Sequence, residues 1–251
     1  MSGWLKIVGL GPGNDALITP EADHALSAAT DIIGYFPYVA RVQKRPGLTL
    51  HGSDNRVELD RSKLALSLAA DGKKVAVVSS GDPGVFAMAA AVFEAVEQGP
   101  ENYRRLDIEV LPGITAMLAA SARAGAPLGH DFCAINLSDN LKPWELIEKR
   151  LRLASEADFA MAFYNPRSKS RPDGFAKALD VLKACCKDDR PVIFARAVST
   201  NDETINIVGL SQTTAEMADM RTMVIVGSSH TRLIQRTGQT PWVYTPRSVP
   251  E

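Results

Sequence analysis

Four apolar runs of strand length in the first half of this 251-residue chain each give way to a short turn, and those turns constrain the fold more than any other feature. The runs are "LKIVGL" (5–10), "DIIGYF" (31–36), "KVAVVSS" (74–80) and "DIEVLP" (107–112). The turns are "GLGPG" (9–13), "GYFPY" (34–38), "SSGDPGVFAMA" (79–89) and "LPGITA" (111–116). Continuous apolar runs alternating with helix-patterned stretches mark parallel strands covered on both faces. In open sheets of that kind a ligand lies beyond the carboxyl ends of the strands, so the residues after each run are the informative ones. Three of the four turns set glycine beside proline, which makes them rigid and lets backbone come close.

Helix starts are well marked between the strands. Thr19 followed by Pro20 and Glu21 supplies an N-cap, a first-turn proline and a first-turn acid, and "ELDRSKLALSLAADG" ends on a glycine suited to a C-cap. After "AGAPLGHD" (124–131) the rhythm changes, with strands expected at "FCAINL" (132–137), "DFAMAFYN" (158–165), "PVIFARAV" (191–198), "ETINIVGL" (203–210) and "TMVIVGS" (222–228). The polar "STND" between two of these predicts an antiparallel hairpin, so the second half reads as a mixed sheet. The length suits two modest lobes, and the boundary is expected near Pro127, giving domains 1–127 and 128–251. The final "TPWVYTPRSVPE" reads as a loose tail.

Lys and Arg number 28 against 29 Asp and Glu, so no bulk basic field draws the chain onto nucleic acid or an anionic membrane. Any anion-binding surface must be local. No apolar run approaches the roughly 18 residues of a membrane span, the start lacks the basic end and long apolar core of a secretory signal, and a cytoplasmic protein is expected. Cys133, Cys185 and Cys186 are odd in number and lack metal-ligand spacing, so they are expected to be reduced and structural, with no metal site.

The first turn invites a dinucleotide reading and then resists it. That fingerprint needs G-x-G-x-x-G and an acid closing the second strand, but Asn14 stands at the last glycine position and the second strand closes on Gly34-Tyr35-Phe36. Pro12 also removes a donor where a pyrophosphate would want one. Asp82, in the third turn, reads as an N-cap or as a carboxylate facing a ligand.

Taken in order, "VGLGPGNDALITPEA", "SSGDPGVFAMA", "LPGITA", "FYNPRSKSR", "ARAVSTNDETI" and "TMVIVGSSHT" resemble the tetrapyrrole methylases of corrin and sirohaem biosynthesis, which have the class III methyltransferase fold. The resemblance covers essentially the whole chain. Within the family, "IIGYFPYV", "YNPRSKSR" and "VIVGSSHTR" are most similar to the branch that methylates C17 of precorrin-3B and contracts the macrocycle to precorrin-4 in cobalamin synthesis. Other precorrin or uroporphyrinogen C-methyltransferases are the near alternatives. A non-catalytic module that holds a nucleotide or tetrapyrrole is the alternative of another class. In the uroporphyrinogen enzymes an aspartate follows the second strand, where this chain has "GYFPY".

The resemblance implies an α/β homodimer of two-lobed chains, a parallel-sheet first domain and a mixed-sheet second one, with S-adenosyl-L-methionine lying between the lobes and leaving as S-adenosyl-L-homocysteine. Carried over by motif, the cofactor would meet Pro12, Ser80, Gly81, Asp82, Val85, Thr115 and Ala116, and in the second half Tyr164, Asn165, Ala197, Thr222 and Met223. A sulfonium donor carries no phosphate, so small residues with free backbone groups suffice to hold it. Ring contraction also needs protons to be moved, for which Tyr35, Tyr38 and Asp15 are the candidates, with His130 and His230 behind them. The many carboxylates of a tetrapyrrole call for a local basic cluster, and Arg41, Lys44, Arg45, Arg167, Lys169 and Arg171 are expected to provide it.

Overall fold

The computed structural model describes residues 3–54 and 57–248. The chain divides into two units, one ending at Thr115 and the other starting at Ala116. The sequence places that boundary near Pro127 instead; the difference is helix α5, Ala116–Ala124, which packs on strand β11, Thr222–Val226, of the second unit.

In the first unit β1 (Trp4–Gly9), β2 (Asp31–Tyr35), β3 (Thr49–Ser53), β4 (Lys74–Ser79) and β5 (Asp107–Leu111) form a five-stranded sheet in the order β3-β2-β4-β1-β5. Every pairing in it is parallel. Alternation along β4 explains the layers. Val75 and Val77 are buried with Ala65, Leu66 and Ala69 of α3 (Glu58–Ala70) and Val92 and Ala95 of α4 (Met88–Gln98). Ala76 and Val78 point the other way, onto Ala22, Ala25 and Leu26 of α1 (Pro20–Ala28) and Val39 of α2 (Phe36–Val39). A parallel strand buried on both faces needs apolar residues at successive positions, which is why "KVAVVS" reads as one run.

The caps behave as their residue types require. Thr19 Oγ1 accepts the Ala22 N–H at 3.2 Å ahead of Pro20, and Gly72, just beyond α3, takes φ +83°. Strand β3 was not among the expected strands, because "TLHGS" carries no apolar run. It is a half-exposed edge held by its ladder to β2 and by His51 Nε2, 2.8 Å from Asp31 Oδ1.

In the second unit β7 (Phe132–Asn136), β8 (Ala160–Tyr164), β9 (Pro191–Arg196), β10 (Thr204–Gly209) and β11 take the order β10-β9-β11-β8-β7. β7 and β8 are parallel, β9 and β10 form the expected antiparallel hairpin, and β11 runs antiparallel to both β8 and β9. Helices α6 (Trp144–Glu156) and α7 (Gly174–Cys185) cover one face, burying Ile147, Leu151, Phe175 and Leu182 with Phe163 and Phe194 of the sheet. A small third sheet, β12 (Arg232–Arg236), β13 (Gln239–Tyr244) and β6 (Gly125–Ala126), corrects the expectation of a loose tail from residue 240. Cross-strand partners such as Ile234 and Trp242, and the fully buried Val243, hold that segment as a strand; residues 249–251 lie outside the described residues.

Candidate active site

The glycines that open the chain serve neighbouring backbone. Gly11 and Gly81 exchange both hydrogen bonds, N–H to carbonyl at 3.2 and 2.9 Å, and both have positive φ, +66° and +67°. Gly113 comes so close that a Cβ there would collide with the Gly81 carbonyl oxygen, and a Cβ on Gly9 would sit 2.7 Å from Gly113 N. The turns after β1, β4 and β5 are therefore clasped backbone to backbone, which only glycine permits.

Asp82 completes the clasp. Its Oδ1 accepts the Gly84 N–H at 2.8 Å and its Oδ2 the Gly113 N–H at 3.1 Å. The carboxylate thus braces two turns. Donors around the first turn are also engaged: Leu10 N–H binds the Ser79 carbonyl, Gly11 N–H binds Gly81, Pro12 has none, and Ala16 N–H goes to Asn14 Oδ1. The Leu10 and Gly11 donors are thus taken by neighbouring backbone, and Pro12 has none to offer a pyrophosphate. Around the clasp, Pro12, Ser80 and Val85 are half-buried and Thr115 is buried. Phe86, at φ +53°, holds a conformation that costs a non-glycine residue about 1 kcal/mol or more, as is common beside ligand sites.

After β2, the Tyr35 and Tyr38 rings meet edge to face with centroids 5.3 Å apart. Burial pushes the Tyr38 phenol above its ordinary value and Tyr35 adds to this, so Tyr38 stays protonated at neutral pH. Asp15 is exposed and lies 3.5 Å from Arg41, whose guanidinium chiefly holds the Leu10 and Gly11 carbonyls at 2.7 and 3.3 Å. Lys44 is exposed. Arg45 donates to the carbonyls of Leu26, Ser27 and Ala29, capping the end of α1 beside the start of β2. That is the opposite edge of the sheet from the strand-end turns, which removes Arg45 from the expected basic cluster.

Arg61 escaped the sequence reading. It is buried, with Nε on Ser53 Oγ at 2.9 Å, one terminal nitrogen on the Asp54 carbonyl at 2.8 Å and the other 3.2 Å from Met88 Sδ. It fastens the end of β3 to the start of α4. The available signal was its place on α3 four residues before buried Ala65, where a charge on the core-facing stripe needs a reason.

In the second unit the reversed direction of β11 sorts the remaining candidates. Thr222 and Met223 pair with Arg196 and Ala195, so they share an edge with Ala197 after β9 and with Tyr164 and Asn165 at the end of β8. Asn165 and Ala197 both take positive φ, +52° and +51°. Asn165 Nδ2 donates to Asn136 Oδ1 at 3.2 Å, Tyr164 Oη accepts the Met117 N–H at 3.3 Å, and Thr222 Oγ1 donates to Asp219 at 2.7 Å. Ala116 opens α5. On the same edge, Ser168 and Arg171 exchange backbone hydrogen bonds to fold the basic loop, with Arg167 on the Pro172 carbonyl, Lys169 exposed and Arg171 on the Asn165 carbonyl. His130 precedes β7 and His230 follows β11, so both lie at the far edge, near the Asp158–Arg190–Ser229 cluster. The structure does not bring them to the strand-end residues.

A parallel sheet in the first unit and a mixed sheet in the second, with positive-φ Phe86, Asn165 and Ala197 lying beyond the ends of β4, β8 and β9, define an α/β protein whose first turn departs from the dinucleotide fingerprint at Asn14. The chain belongs to the Tetrapyrrole (Corrin/Porphyrin) Methylases, whose family pattern matches residues 5–214. A precorrin-3B C(17)-methyltransferase of Sinorhizobium sp is 53% identical over 98% of this chain and 97% of its own length. The crystal structure of the methyltransferase CobJ superposes with a TM-score of 0.94 at 62% identity, covering 98% of this chain and all of that one. A uroporphyrin-III C-methyl transferase from Thermus thermophilus, complexed with S-adenyl homocysteine, shares the fold with a TM-score of 0.65 at 22% identity, over 90% of this chain and 92% of its own.

Proposed function

We propose that this methyltransferase methylates C17 of precorrin-3B and contracts the macrocycle to precorrin-4, with S-adenosyl-L-methionine as donor. The observation that carries the reading is the 53% identity, nearly end to end, with a protein named for that reaction. When bound, the donor supplies an electrophilic methyl group on a sulfonium sulfur. The clasped turns suit it because they hold small residues, and a donor without phosphate needs no N–H from Pro12.

In this reading Pro12, Ser80, Val85 and Thr115 of the first unit, and Ala116, Tyr164, Asn165, Ala197, Thr222 and Met223 of the second, contact the donor. Gly81 and Asp82 set the shape of its seat. Rigid turns serve such a reaction because the protein's work is to align the methyl group with the attacking carbon and to exclude water. Tyr38, held protonated, is the group proposed to give a proton during ring contraction, with Tyr35 fixing its ring and Asp15 at the solvent side. Arg167, Lys169 and Arg171 receive carboxylates of the macrocycle. The reading carries with it a cytoplasmic homodimer; among the described residues no helix is long and apolar enough to cross a membrane.

Incubation with precorrin-3B and S-adenosylmethionine tests it, with product mass and absorbance as readouts. A methylated, ring-contracted product supports the reading, and an unchanged substrate beside a turned-over uroporphyrinogen or another precorrin overturns it. Calorimetric titration with S-adenosylhomocysteine separates an enzyme from a module that does not bind the donor.

A further inference from the structure

The strand-end edge of the second unit carries a cation that the basic loop after β8 does not include. Lys142 lies in the segment after β7, half-buried, with Nζ on the Ser138 carbonyl at 3.1 Å. That segment is tied to the next one through a single side chain: Asn136 Oδ1 accepts both the Ser138 N–H at 2.9 Å and Asn165 Nδ2 at 3.2 Å. Arg171 in turn holds the Asn165 carbonyl at 3.3 Å. The Asn136–Asn165 link therefore ties the loop that carries Lys142 to the loop that carries Arg171.

The electrostatics there run against the protein itself. Burial, then Arg150, and then Arg171 all disfavour the Lys142 charge, and Asp139 alone opposes them. Among the described residues no carboxylate comes within 4.0 Å of Lys142 or Arg171. Lys142 has three N–H donors, of which one is engaged, and Arg171 has five, of which one meets the Asn165 carbonyl and another lies 4.0 Å from Met220 Sδ. A half-buried pair of like charges with free donors costs stability unless an anion joins it. The strained Asn165 beside them marks the same edge.

We infer that Lys142 and Arg171 together form a carboxylate-binding subsite that positions one acidic side chain of the tetrapyrrole. This rests on the proposed reaction and adds to it a specificity-determining residue from the loop after β7. Two cations on separate loops define the position of one carboxylate, which loop cations in solvent do not.

The test compares Lys142→Met and Lys142→Arg with the unaltered protein. Removing a charge-assisted hydrogen bond of this kind is expected to raise KM for precorrin-3B about tenfold or more while kcat stays within about twofold. Fluorescence titration with uroporphyrin III, a stable polycarboxylate macrocycle, should weaken by a similar factor, and Lys142→Arg should restore most of both. Affinity for S-adenosylhomocysteine should not move, and Tm of Lys142→Met should hold or rise, because the substitution relieves the like charges in the free protein. An unchanged KM and uroporphyrin affinity in Lys142→Met, with the unaltered protein active, overturns the inference alone. So does a loss shared equally by S-adenosylhomocysteine binding and Tm, which would make Lys142 a brace for its own turn. If the unaltered protein binds S-adenosylhomocysteine but neither methylates precorrin-3B nor binds uroporphyrin III, the proposed reaction fails and the subsite with it.

Discussion

The Asp82 carboxylate accepts the Gly113 N–H at 3.1 Å while its other oxygen holds Gly84 at 2.8 Å, so one side chain joins the turns after β4 and β5. Its role is to position backbone, and the expected effect of removing it follows. Asp82→Ala leaves two N–H groups without their acceptor and should lower stability by about 1.5–3 kcal/mol, the order that a hydrogen bond to a charged group contributes. Affinity for S-adenosylhomocysteine should fall with it. Asp82→Asn keeps one acceptor and turns a donor toward the other N–H, so it should recover at most half of either loss. Calorimetry and thermal melts read both. An Ala variant with native affinity would show that neither brace matters to the seat.

Gly113 is the tightest point of the clasp. Gly113→Ala would drive a Cβ into the Gly81 carbonyl, and relief would strain either the Gly11–Gly81 pair or the Gly113 bond to Asp82. Overpacking of this kind costs about 1–3 kcal/mol. The variant should melt earlier and bind S-adenosylhomocysteine weakly, while far-UV circular dichroism stays native because the strands themselves are untouched. Native affinity would mean that the seat tolerates separated turns.

Arg41 and Arg45 come from the same short basic stretch and should separate cleanly. Arg45 caps three carbonyls at the end of α1, so Arg45→Ala should cost about 1–2 kcal/mol of stability and leave donor affinity alone. Arg41 holds the Leu10 and Gly11 carbonyls, so Arg41→Ala should loosen the first turn and weaken S-adenosylhomocysteine binding. Paired melts and titrations check the contrast, and equal effects on affinity would refute it.

These two arginines also show how far the sequence could be read. Strands β1, β2, β4 and β5 were legible because burial on both faces leaves unbroken apolar runs, and α1 because Thr19 and Pro20 are chemically committed to a helix start. Strand β3 was not, since an edge strand held by a ladder and a His51–Asp31 contact needs no apolar run. The strand-end turns were legible as rigid, closely approaching backbone from their glycine and proline content. Their internal bonding was not: nothing local tells that Asp82 faces Gly113, thirty-one residues away, or that Arg45 folds back onto α1. His230 lies at the far edge for a topological reason: residues after a strand share the edge of the other strand ends only while strands run parallel, and β11 runs the other way, whereas His130 simply precedes β7.

Acid should destabilise the fold through a small set of carboxylates. Burial raises the Asp158 pKa, but hydrogen bonds from Ser229 and the Arg190 guanidinium outweigh it and hold the group below its ordinary 3.8. Asp219 is lowered in the same way, against burial, by Thr222, Arg196 and the Arg221 N–H, and Asp31 by His51 and Thr30. In each case the unfolded chain takes up its proton at a higher pH than the native one does. The stabilisation is therefore complete above the ordinary value and is lost as pH falls from about 4 down through the depressed native values. Urea midpoints measured from about pH 6 to pH 3 should drop across that window. Asp158→Asn should lower the midpoint at the upper end and flatten the fall, because the variant no longer has that proton to gain. A variant whose midpoint falls in parallel with the unaltered protein would show that the Asp158 cluster does not contribute to the acid response.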